Sequence, residues 1–390
     1  MISRADFDAY NRDVENLVSY AGKQTAAQIA AWIKINPDAS IAECREMAKE
    51  TMDGMVQISS ESAATLAAEW YDKQARKAHA KLPEAITETT YNKETIDKVA
   101  HYQARKLIDG DIKGFADACA ELVENQTKQN LNNTILANAK RDKKKGVRFA
   151  RVPTGSETCA FCYMLASRGA VYHTREKAGE QNHFHRRCDC KIVPGFEDDK
   201  FAEVVEDYDP KGMCDRMALI EKQTGLKFSN KEDLSALSKE MKLRDKQWLM
   251  NGKTPKPEYE SEAVREFKYK NKQSAKQHEI ELETAKRITS YGFDATFVID
   301  EIVINGKVIG LADLKTGFEI KTLQKASSYN TIDNHLRDVS RKKNATAVVF
   351  DNSQCSLKDS KLKEFILKSR RFRNGSIYIY DHTGSLVKIR

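Results

Sequence analysis

GLADLKTGFEIKTL, residues 310–323, decides how the last third of this 390-residue chain folds. FEIKTL (318–323), in which polar and apolar residues alternate over Phe-Glu-Ile-Lys, and KVIGLADL (307–314) are predicted strands. Lys-Thr-Gly (315–317) separates the two strands with the length and composition of a tight turn. The sequence therefore predicts a β-hairpin at this point.

Helices and further strands surround this hairpin in an alternating order. Helical patterns cover residues 275–292, 327–343 and 356–372, and the second of these has a serine available as N-cap. The first stops at Gly292, a residue suited to a left-handed turn. We expect a mixed α/β sheet with helices packed on it. Its other predicted strands, of which the last two form a hairpin, are FDATFVID (293–300), EIVING (301–306), ATAVVFD (345–351), SIYIYD (376–381) and SLVKI (385–389).

Two acids and a lysine gather on the central hairpin. Side chains alternate between the two faces of a strand, so Glu319 and Lys321 point the same way. Asp313 interrupts an apolar strand and can reach that face if the register permits. Carboxylate oxygens suit Mg²⁺ or Mn²⁺, and a lysine beside such a cation can orient or deprotonate a water for phosphodiester hydrolysis. Spacing alone is equally compatible with an exposed Glu319–Lys321 ion pair and a turn residue at 313.

The order of Asp313, a short turn and then Glu319-Ile320-Lys321 resembles the PD-(D/E)XK nuclease superfamily. HEIELETAKRITSYGFDATFVID and GLADLKTGFEIKTL are similar to the nuclease toxin domains of CdiA-type contact-dependent inhibition proteins, which are typically tRNA nucleases. The resemblance covers about residues 275–390, with Ala312 where the superfamily has proline. It implies that Asp313 and Glu319 bind metal, that Lys321 serves the water, that tRNA or DNA is the substrate, and that an immunity protein can accompany the toxin.

The same resemblance implies a helix glutamate in the site, and three glutamates compete for this role. Glu281 lies four residues before Ala285 and seven before Ile288, at the edge of the buried face. Glu279 ranks second, and Glu283 lies closer to the polar face. We therefore predict Glu281 as the fourth catalytic residue.

Positive charge concentrates in this part of the chain. The net charge is +8, and residues 271–390 hold 21 Lys and Arg against 14 Asp and Glu, an excess of seven. Such an excess suits a nucleic-acid partner, although charge alone is equally compatible with a solvated basic surface. Given a nuclease, the predicted substrate contacts are Arg337, Arg341, Lys342 and Arg371, with Lys343, Lys368, Arg370 and Arg373 as further candidates.

The first 150 residues have a different pattern. Apolar residues recur at helical spacing in segments such as VENLVSYAGKQTAAQIAAWI (14–33) and SESAATLAAEWYDKQARKA (60–78), which predicts an all-α region. A basic run at 140–151 follows, as well suited to a solvated connector as to phosphate contact. With no run of eighteen apolar residues and no apolar signal core, we expect no membrane segment and synthesis in the host cytoplasm.

Cysteine and histidine cluster in the next segment, where four of the eight cysteines lie within residues 159–190. A Cys-x-x-Cys pair followed by His-x-x-Cys-x-Cys can supply a tetrahedral Zn²⁺ site that stabilises a small module, while reduced core cysteines and a redox pair are the alternatives. The predicted structural zinc ligands are Cys159, Cys162, His185, Cys188 and Cys190, with His173 and His183 ranked lower.

TCAFCYMLASRG (158–169) and FHRRCDCKIVP (184–194), downstream of a long helical region, resemble phage minor head proteins of the MuF-like head morphogenesis group. This resemblance covers about residues 1–215. It implies a place in the phage virion, at the capsid and near the portal, with portal and capsid proteins as partners. Some members of that group carry a C-terminal toxin or enzyme domain.

The expected fold class is therefore multidomain, with an all-α N-terminal region and a C-terminal PD-(D/E)XK-like mixed sheet. The predicted segments are a helical head-protein region (1–150), a Cys/His zinc-type module (151–198), a helical connector and linker (199–260) and a nuclease-like α/β domain (261–390). The favoured function is a phage head-associated protein that carries a metal-dependent endonuclease, a ribonuclease before a deoxyribonuclease. The alternative is a structural head protein whose basic C-terminal domain binds packaged DNA without cutting it.

Overall fold

A computed structural model of the chain describes residues 1–154, 158–172, 190–197, 199, 201–253, 261–325 and 327–390. The chain divides into two compact units. The first contains Met1–Thr158 and Leu165–Pro210, and the second contains Cys159–Met164 and Lys211–Arg390. The four predicted segments divide the chain more finely than this and stay predictions.

Long helices build the first unit, as the apolar periodicity predicts. The N-termini of α1 and α2 are capped by Ser3 and Ser40, whose hydroxyls accept backbone N–H groups, and Glu43 completes a capping box with Ser40. Aliphatic and small side chains from all four helices form the core, and α4 is buried on nearly every side between residues 130 and 139. The helices are α1 (Arg4–Ile35), α2 (Ile41–Lys77), α3 (Lys93–Gln103) and α4 (Ile112–Arg141).

An extended segment, residues 83–90, lies along α4 and is held by the side chains of that helix. The amides of Asn130 and Asn138 each accept the N–H and donate to the C=O of one residue, Thr90 and Ile86 respectively. The Thr134 hydroxyl does both for the residue midway between these two, at position 88. Four helical residues rise about 6 Å, and two extended residues advance about 6.6 Å. The two repeats therefore match, and we call this arrangement the amide ladder.

A short antiparallel ribbon follows the helices of the first unit. It pairs β1 (Arg148–Pro153) with β2 (Cys190–Gly195), and almost every residue in it is buried. The basic run at 140–151 suits a solvated connector and phosphate contact equally, and its sequence does not predict β1, which overlaps it. Helix α5 (Ala160–Ala166) lies between the two strands in the chain, and its residues divide between the two units.

The second unit contains a four-stranded mixed sheet covered by helices on both faces. The strand order is β5-β6-β7-β8, with β5, β6 and β7 parallel and β8 antiparallel to β7. This confirms the predicted mixed sheet and its closing hairpin. The strands are β5 (Phe318–Thr322), β6 (Ala347–Asp351), β7 (Ser376–Tyr380) and β8 (Leu386–Lys388).

Alternate residues of these strands pack against different helices. Ile320, Val349 and Tyr378 face the side covered by α10, while Val348 and Ile377 face the side covered by α11 and α12. Each predicted C-terminal helix is present, and α11 has the expected serine cap. The helices of this unit are α6 (Pro210–Thr224), α7 (Leu234–Met241), α8 (Lys246–Asn251), α9 (Glu262–Lys268), α10 (Lys272–Thr289), α11 (Tyr329–Arg341) and α12 (Asp359–Lys368).

Two glycines have the backbone conformation that their positions require. Gly292 follows α10 at φ +83°, as predicted, and a Cβ there would meet the Trp248 ring. Gly317 has φ +81°, and a Cβ there would meet the carbonyl oxygen of Asn344. A side chain at either position would therefore strain the fold.

The predicted hairpin at residues 307–323 is wrong. β4 (Lys307–Gly310) pairs instead with β3 (Glu301–Ile304), whereas β5 pairs in parallel with β6. The residues before β5 form a turn in which the Gly317 N–H donates to the Leu314 carbonyl. The parallel pairing with β6 extends over the whole of β5, Phe318–Thr322, whereas the turn at 314–317 precedes the strand. The predicted strand at 293–300 is reduced to an isolated bridge between Phe297 and Leu314.

None of the helices in the described part of the chain combines the length and apolar character that a bilayer-spanning segment requires.

Candidate active site

The site lies at the free edge of β5, the outermost strand of the sheet. The Oδ2 atom of Asp313 accepts the backbone N–H of Ile320 at 2.8 Å, on the side of β5 that has no neighbouring strand. Asp313 is therefore held beside β5 by this side-chain hydrogen bond, and not by the hairpin pairing of residues 307–314 with β5 that the sequence predicted. Its side chain is 5% exposed.

Glu319 is fully buried on β5, with an ammonium group on each of its oxygens. Lys321, on the same face of the strand, places Nζ 2.7 Å from Oε1. Lys342, which follows α11, places Nζ 2.7 Å from Oε2 and 4.0 Å from Oδ1 of Asp313. The structure thus brings together Asp313, Glu319 and Lys321, and adds Lys342 to them.

A third lysine lies near the same oxygen of Asp313, Oδ1, as Lys342 does. Lys268, the last residue of α9, is 8% exposed and lies 3.0 Å from Asp300 and 3.6 Å from Asp313. Neither Lys268 nor Asp300 was identified from the sequence, because both are distant from the motif along the chain. The negative charges of the two predicted metal ligands, Asp313 and Glu319, are therefore balanced by the positive charges of three lysines.

Burial and the three lysines shift the pKa values of Glu319 and Asp313 in opposite directions. Burial raises the pKa of Glu319, and the negative charge of Asp313 raises it further, against the pull of Lys321 and Lys342. Burial also raises the pKa of Asp313, but the charges of Lys342, Lys268 and Lys321 outweigh it, so that this pKa lies below its usual value. Asp313 is consequently the more strongly ionised of the two acids.

Lys321 remains an ammonium group in this environment. Burial lowers its pKa, but the negative charges of Glu319 and Asp313 outweigh burial and raise the pKa above the usual lysine value. The lysine can therefore donate hydrogen bonds and stabilise negative charge at neutral pH. Proton abstraction by Lys321 would require these carboxylate charges to be neutralised first.

Of the three candidate glutamates on α10, only Glu281 is buried, while Glu279 and Glu283 are exposed. Its Oε1 accepts from Gln277 at 2.9 Å, and its Oε2 lies 4.0 Å from Nδ1 of His278. The negative charge of Glu281 acts on Lys268 and Lys321, raising the pKa of each. Within the described residues no hydrogen bond or ion pair joins Glu281 directly to Asp313 or Glu319.

Helix α10 is fixed to the sheet one turn beyond Glu281. Asp351, fully buried at the end of β6, accepts hydrogen bonds from Arg287 and Thr284 of α10, and its other oxygen accepts from Ser353. The Thr284 hydroxyl also lies 2.7 Å from that of Thr322, the residue after Lys321. These contacts set the position of Glu281 relative to β5.

The donor chemistry here fits a hard divalent cation. Asp313 and Glu319 provide two buried carboxylates, and Mg²⁺ commonly takes one or two carboxylates together with water and substrate phosphate. In the part of the chain that the structure describes, no group of three or more His, Cys, Asp or Glu side chains is arranged to hold a metal ion. A cation at β5 would therefore have Asp313 and Glu319 as its carboxylate ligands.

The predicted substrate contacts lie on or just after α11 and α12, the two helices that cover one face of the sheet. Arg337 and Arg341 are on α11, and Arg337 lies 3.7 Å from Asp338. Arg371 follows α12 and lies 3.4 Å from Asp333. Among the four, Lys342 alone contacts the carboxylates of the site.

The predicted zinc ligands fall partly outside the described residues, since His185 and Cys188 lie there, as do His173 and His183. Cys159 is half-buried, whereas Cys162 and Cys190 are buried. The Cys159 thiol accepts the backbone N–H of Cys162 at 3.4 Å. The zinc module stays a prediction.

Two histidines near the site were also missed. His278 is buried between the rings of Tyr269 and Phe297, one turn before Glu281, and the His-x-x-Glu spacing in the sequence could have identified it. His335 is half-buried on α11, and burial together with the charge of Lys321 lowers its pKa.

Comparison with known proteins bears on the other end of the chain. A family model described as VG15 protein matches residues 1–220, more than half of the 390 residues. The chain belongs to the VG15 protein family. This makes it a member of a viral, phage-type family. The VG15 match ends within α6, before the site at β5. Comparison with curated proteins and with solved structures finds no match.

Proposed function

We propose that the second unit of this VG15 family member is a metal-dependent phosphodiester hydrolase. The observation that carries the proposal is the pairing of two buried carboxylates, Asp313 and Glu319, with the ammonium of Lys321 at the open edge of one strand. Burying two acids this close costs stability, since their charges repel and lose hydration. A site for a cation and a phosphate accounts for that cost.

When bound, a divalent cation lowers the pKa of a coordinated water and neutralises negative charge on the phosphate. Asp313 and Glu319 would hold the cation. Lys321, an ammonium at neutral pH, would orient the attacking water and stabilise charge on the phosphate oxygens. The low exposure of these groups strengthens each of these electrostatic interactions.

We propose RNA, and tRNA in particular, as the substrate. The resemblance of residues 275–390 to CdiA-type tRNA nucleases supports RNA over DNA. The excess of seven positive charges in residues 271–390 suits either polyanion, and we propose that Arg337, Arg341 and Arg371 contact its backbone.

We further propose that the first unit associates with the phage capsid near the portal and carries the nuclease with it. The phage-type family and the resemblance of residues 1–215 to MuF-like minor head proteins support this placement. Portal and capsid proteins are then its partners, and an immunity protein would protect the producing cell.

The nuclease proposal is tested with the full chain incubated with total tRNA, single-stranded DNA and duplex DNA, each with Mg²⁺, Mn²⁺ or EDTA. We expect tRNA to be cut with metal and not with EDTA, and the variants Glu319→Gln and Lys321→Ala to lose cutting. Glu301→Gln and Lys315→Ala alter exposed residues of the same unit and serve as matched controls. If no substrate is cut with metal, or if Glu319→Gln and Lys321→Ala cut like the wild type, the proposal fails.

A purely structural protein with a DNA-binding C-terminal unit is the rival function. Binding alone gains nothing from two acids near phosphate, so it predicts that Glu319→Gln leaves nucleic-acid affinity unchanged or increases it. Affinity without cutting in the assay above would favour this rival.

A further inference from the structure

Lys342 occupies a special place among the three lysines of the site. Lys321 forms an ion pair with Glu319, and Lys268 forms ion pairs with Asp313 and Asp300. The Nζ atom of Lys342 lies within 4.0 Å of both Glu319 and Asp313. Within the described part of the chain, no other ammonium group bridges these two carboxylates.

The backbone around Lys342 is fixed to the segment that carries Asp313. The N–H of Lys343 donates to the Gly310 carbonyl at 3.1 Å, and the side-chain oxygen of Asn344 accepts the N–H of Ala312 at 2.7 Å. The stem of Lys342 passes beside Gly310, where a Cβ would lie 3.7 Å from the Cγ atom of the lysine, an ordinary van der Waals contact. The loop after α11 therefore fixes the backbone of Lys342 close to the carboxylates, whereas an ordinary surface lysine has no such anchor.

Glu319 needs this partner in the absence of a cation. The residue is fully buried, and its Oε2 accepts from Lys342. A buried carboxylate that loses its partner destabilises the fold, because the charge has lost its hydration and gains no compensating interaction. A divalent cation between Glu319 and Asp313 would supply the same compensation, and would do so with twice the charge.

A divalent cation held by both carboxylates would compete with the Lys342 ammonium for the same oxygens. The ammonium lies 2.7 Å from Oε2 of Glu319 and 4.0 Å from Oδ1 of Asp313. We infer that Lys342 is a built-in counter-ion that holds the place of the divalent cation between Asp313 and Glu319 and is displaced when the cation binds.

This inference rests on the proposed function and adds a consequence for the substrate. The side chain of Lys342 is 20% exposed, so its displaced ammonium can turn outward on four rotatable bonds. There it can meet a phosphate held beside the cation. Lys342 then serves as a counter-ion without metal and as a phosphate contact with metal, and cation binding and substrate binding become coupled.

Direct measurement of Mn²⁺ binding to the full-length protein by electron paramagnetic resonance tests the inference without any cleavage assay. The Lys342→Met variant keeps the stem and removes the competing charge, so its Mn²⁺ affinity should increase about tenfold or more, since one charge at this range shifts a carboxylate's proton affinity by 10 to 1000-fold. Lys342→Arg keeps the charge and should bind Mn²⁺ no more tightly than the wild type. Lys315→Met, which removes an exposed lysine two residues from Asp313, is the control and should bind like the wild type.

Thermal unfolding provides a second readout that does not depend on cleavage. In EDTA the Tm of Lys342→Met should lie below that of wild type, because Glu319 loses a partner. Saturating Mn²⁺ should raise the Tm of this variant more than it raises that of wild type. Equal or weaker Mn²⁺ affinity in Lys342→Met than in wild type overturns the inference and leaves the nuclease proposal standing. Absence of Mn²⁺ binding in every variant overturns both, whereas tighter binding by Lys342→Met without cleavage of any substrate overturns only the nuclease.

Discussion

The carboxylate of Asp313 binds the backbone N–H of Ile320 at 2.8 Å and so takes the place of a neighbouring strand along the free edge of β5. An edge strand presents N–H groups that must find other partners, and Ile320 is fully buried. Asp313 thus has a structural task in addition to its proposed role as a metal ligand. The two tasks require different chemical properties, an acceptor oxygen for the first and a negative charge for the second.

Two substitutions at Asp313 should separate these tasks. Asp313→Asn keeps an acceptor oxygen and Asp313→Leu does not, so the leucine variant should be less stable by about 1–3 kcal/mol, the cost of an unpaired buried donor. Urea unfolding measures this difference, and hydrogen exchange should show faster exchange of the Ile320 amide in the leucine variant alone. Both variants should lose cutting. Equal stability and equal exchange in the two would show that the hydrogen bond does not stabilise the edge.

The sequence was sufficient for elements whose pattern is local. Helix α11 begins after its serine cap, α10 is followed by Gly292, and the buried strand at Ala347–Asp351 has its β-branched composition. The pairing of β5 was predicted wrongly because a hairpin partner and a parallel partner require the same alternation within residues 318–322. Alternation specifies faces, whereas pairing depends on segments far away in the chain.

The same limit applies to the site. Glu319 and Lys321 were found because two residues of one strand share a face regardless of its partner. Lys268 and Asp300 were missed because only the packing of α9 beside the turn at Asp313 brings them there. Lys342 was predicted to contact substrate from its charge and position on a basic helix end, and its contact with Glu319 depends on the loop after α11.

The glutamates of α10 provide a test of the predicted catalytic set. Glu281→Gln should lower the cutting rate at least tenfold, because this buried charge acts on Lys321 and Lys268. Glu283 is exposed and pairs with Lys286, so Glu283→Gln should cut at the wild-type rate. Initial rates on the same tRNA substrate make the comparison. A larger loss in Glu283→Gln than in Glu281→Gln would show that the wrong face of the helix was chosen.

Two histidines should change stability with pH in opposite directions. The Cys355 carbonyl and the Asp359 carboxylate raise the pKa of His382, so its contribution is full below the unfolded pKa of about 6.5 and is lost as pH rises through the folded value. Burial and Lys321 lower the pKa of His335, so its contribution is present above that unfolded pKa and lost as pH falls through the folded value.

Melting curves from pH 5 to 8.5 test both signs in one series. The Tm difference between wild type and His382→Gln should shrink as pH rises, and the difference between wild type and His335→Gln should grow. Each variant serves as the control for the other, since a general effect of pH on the fold would change both differences in the same direction. Parallel pH trends in the two variants would contradict the assigned shifts.

The amide ladder of the first unit should determine whether residues 83–90 stay attached to α4. Asn130→Ala, Thr134→Val and Asn138→Ala each remove the side-chain partner of one residue of this segment, at about 0.5–1.5 kcal/mol per hydrogen bond. Asp72, Asn133 and Arg141 bind further atoms of the segment, so the triple variant should loosen the segment while the buried helices stay folded. A glutamate-specific protease should then cleave after Glu84 and Glu88 much faster than in wild type.

Asn132→Ala, on the same buried stretch of helix but outside the ladder, should leave the cleavage rate unchanged. Unaltered cleavage in the triple variant would mean that the segment is held by something other than these three side chains.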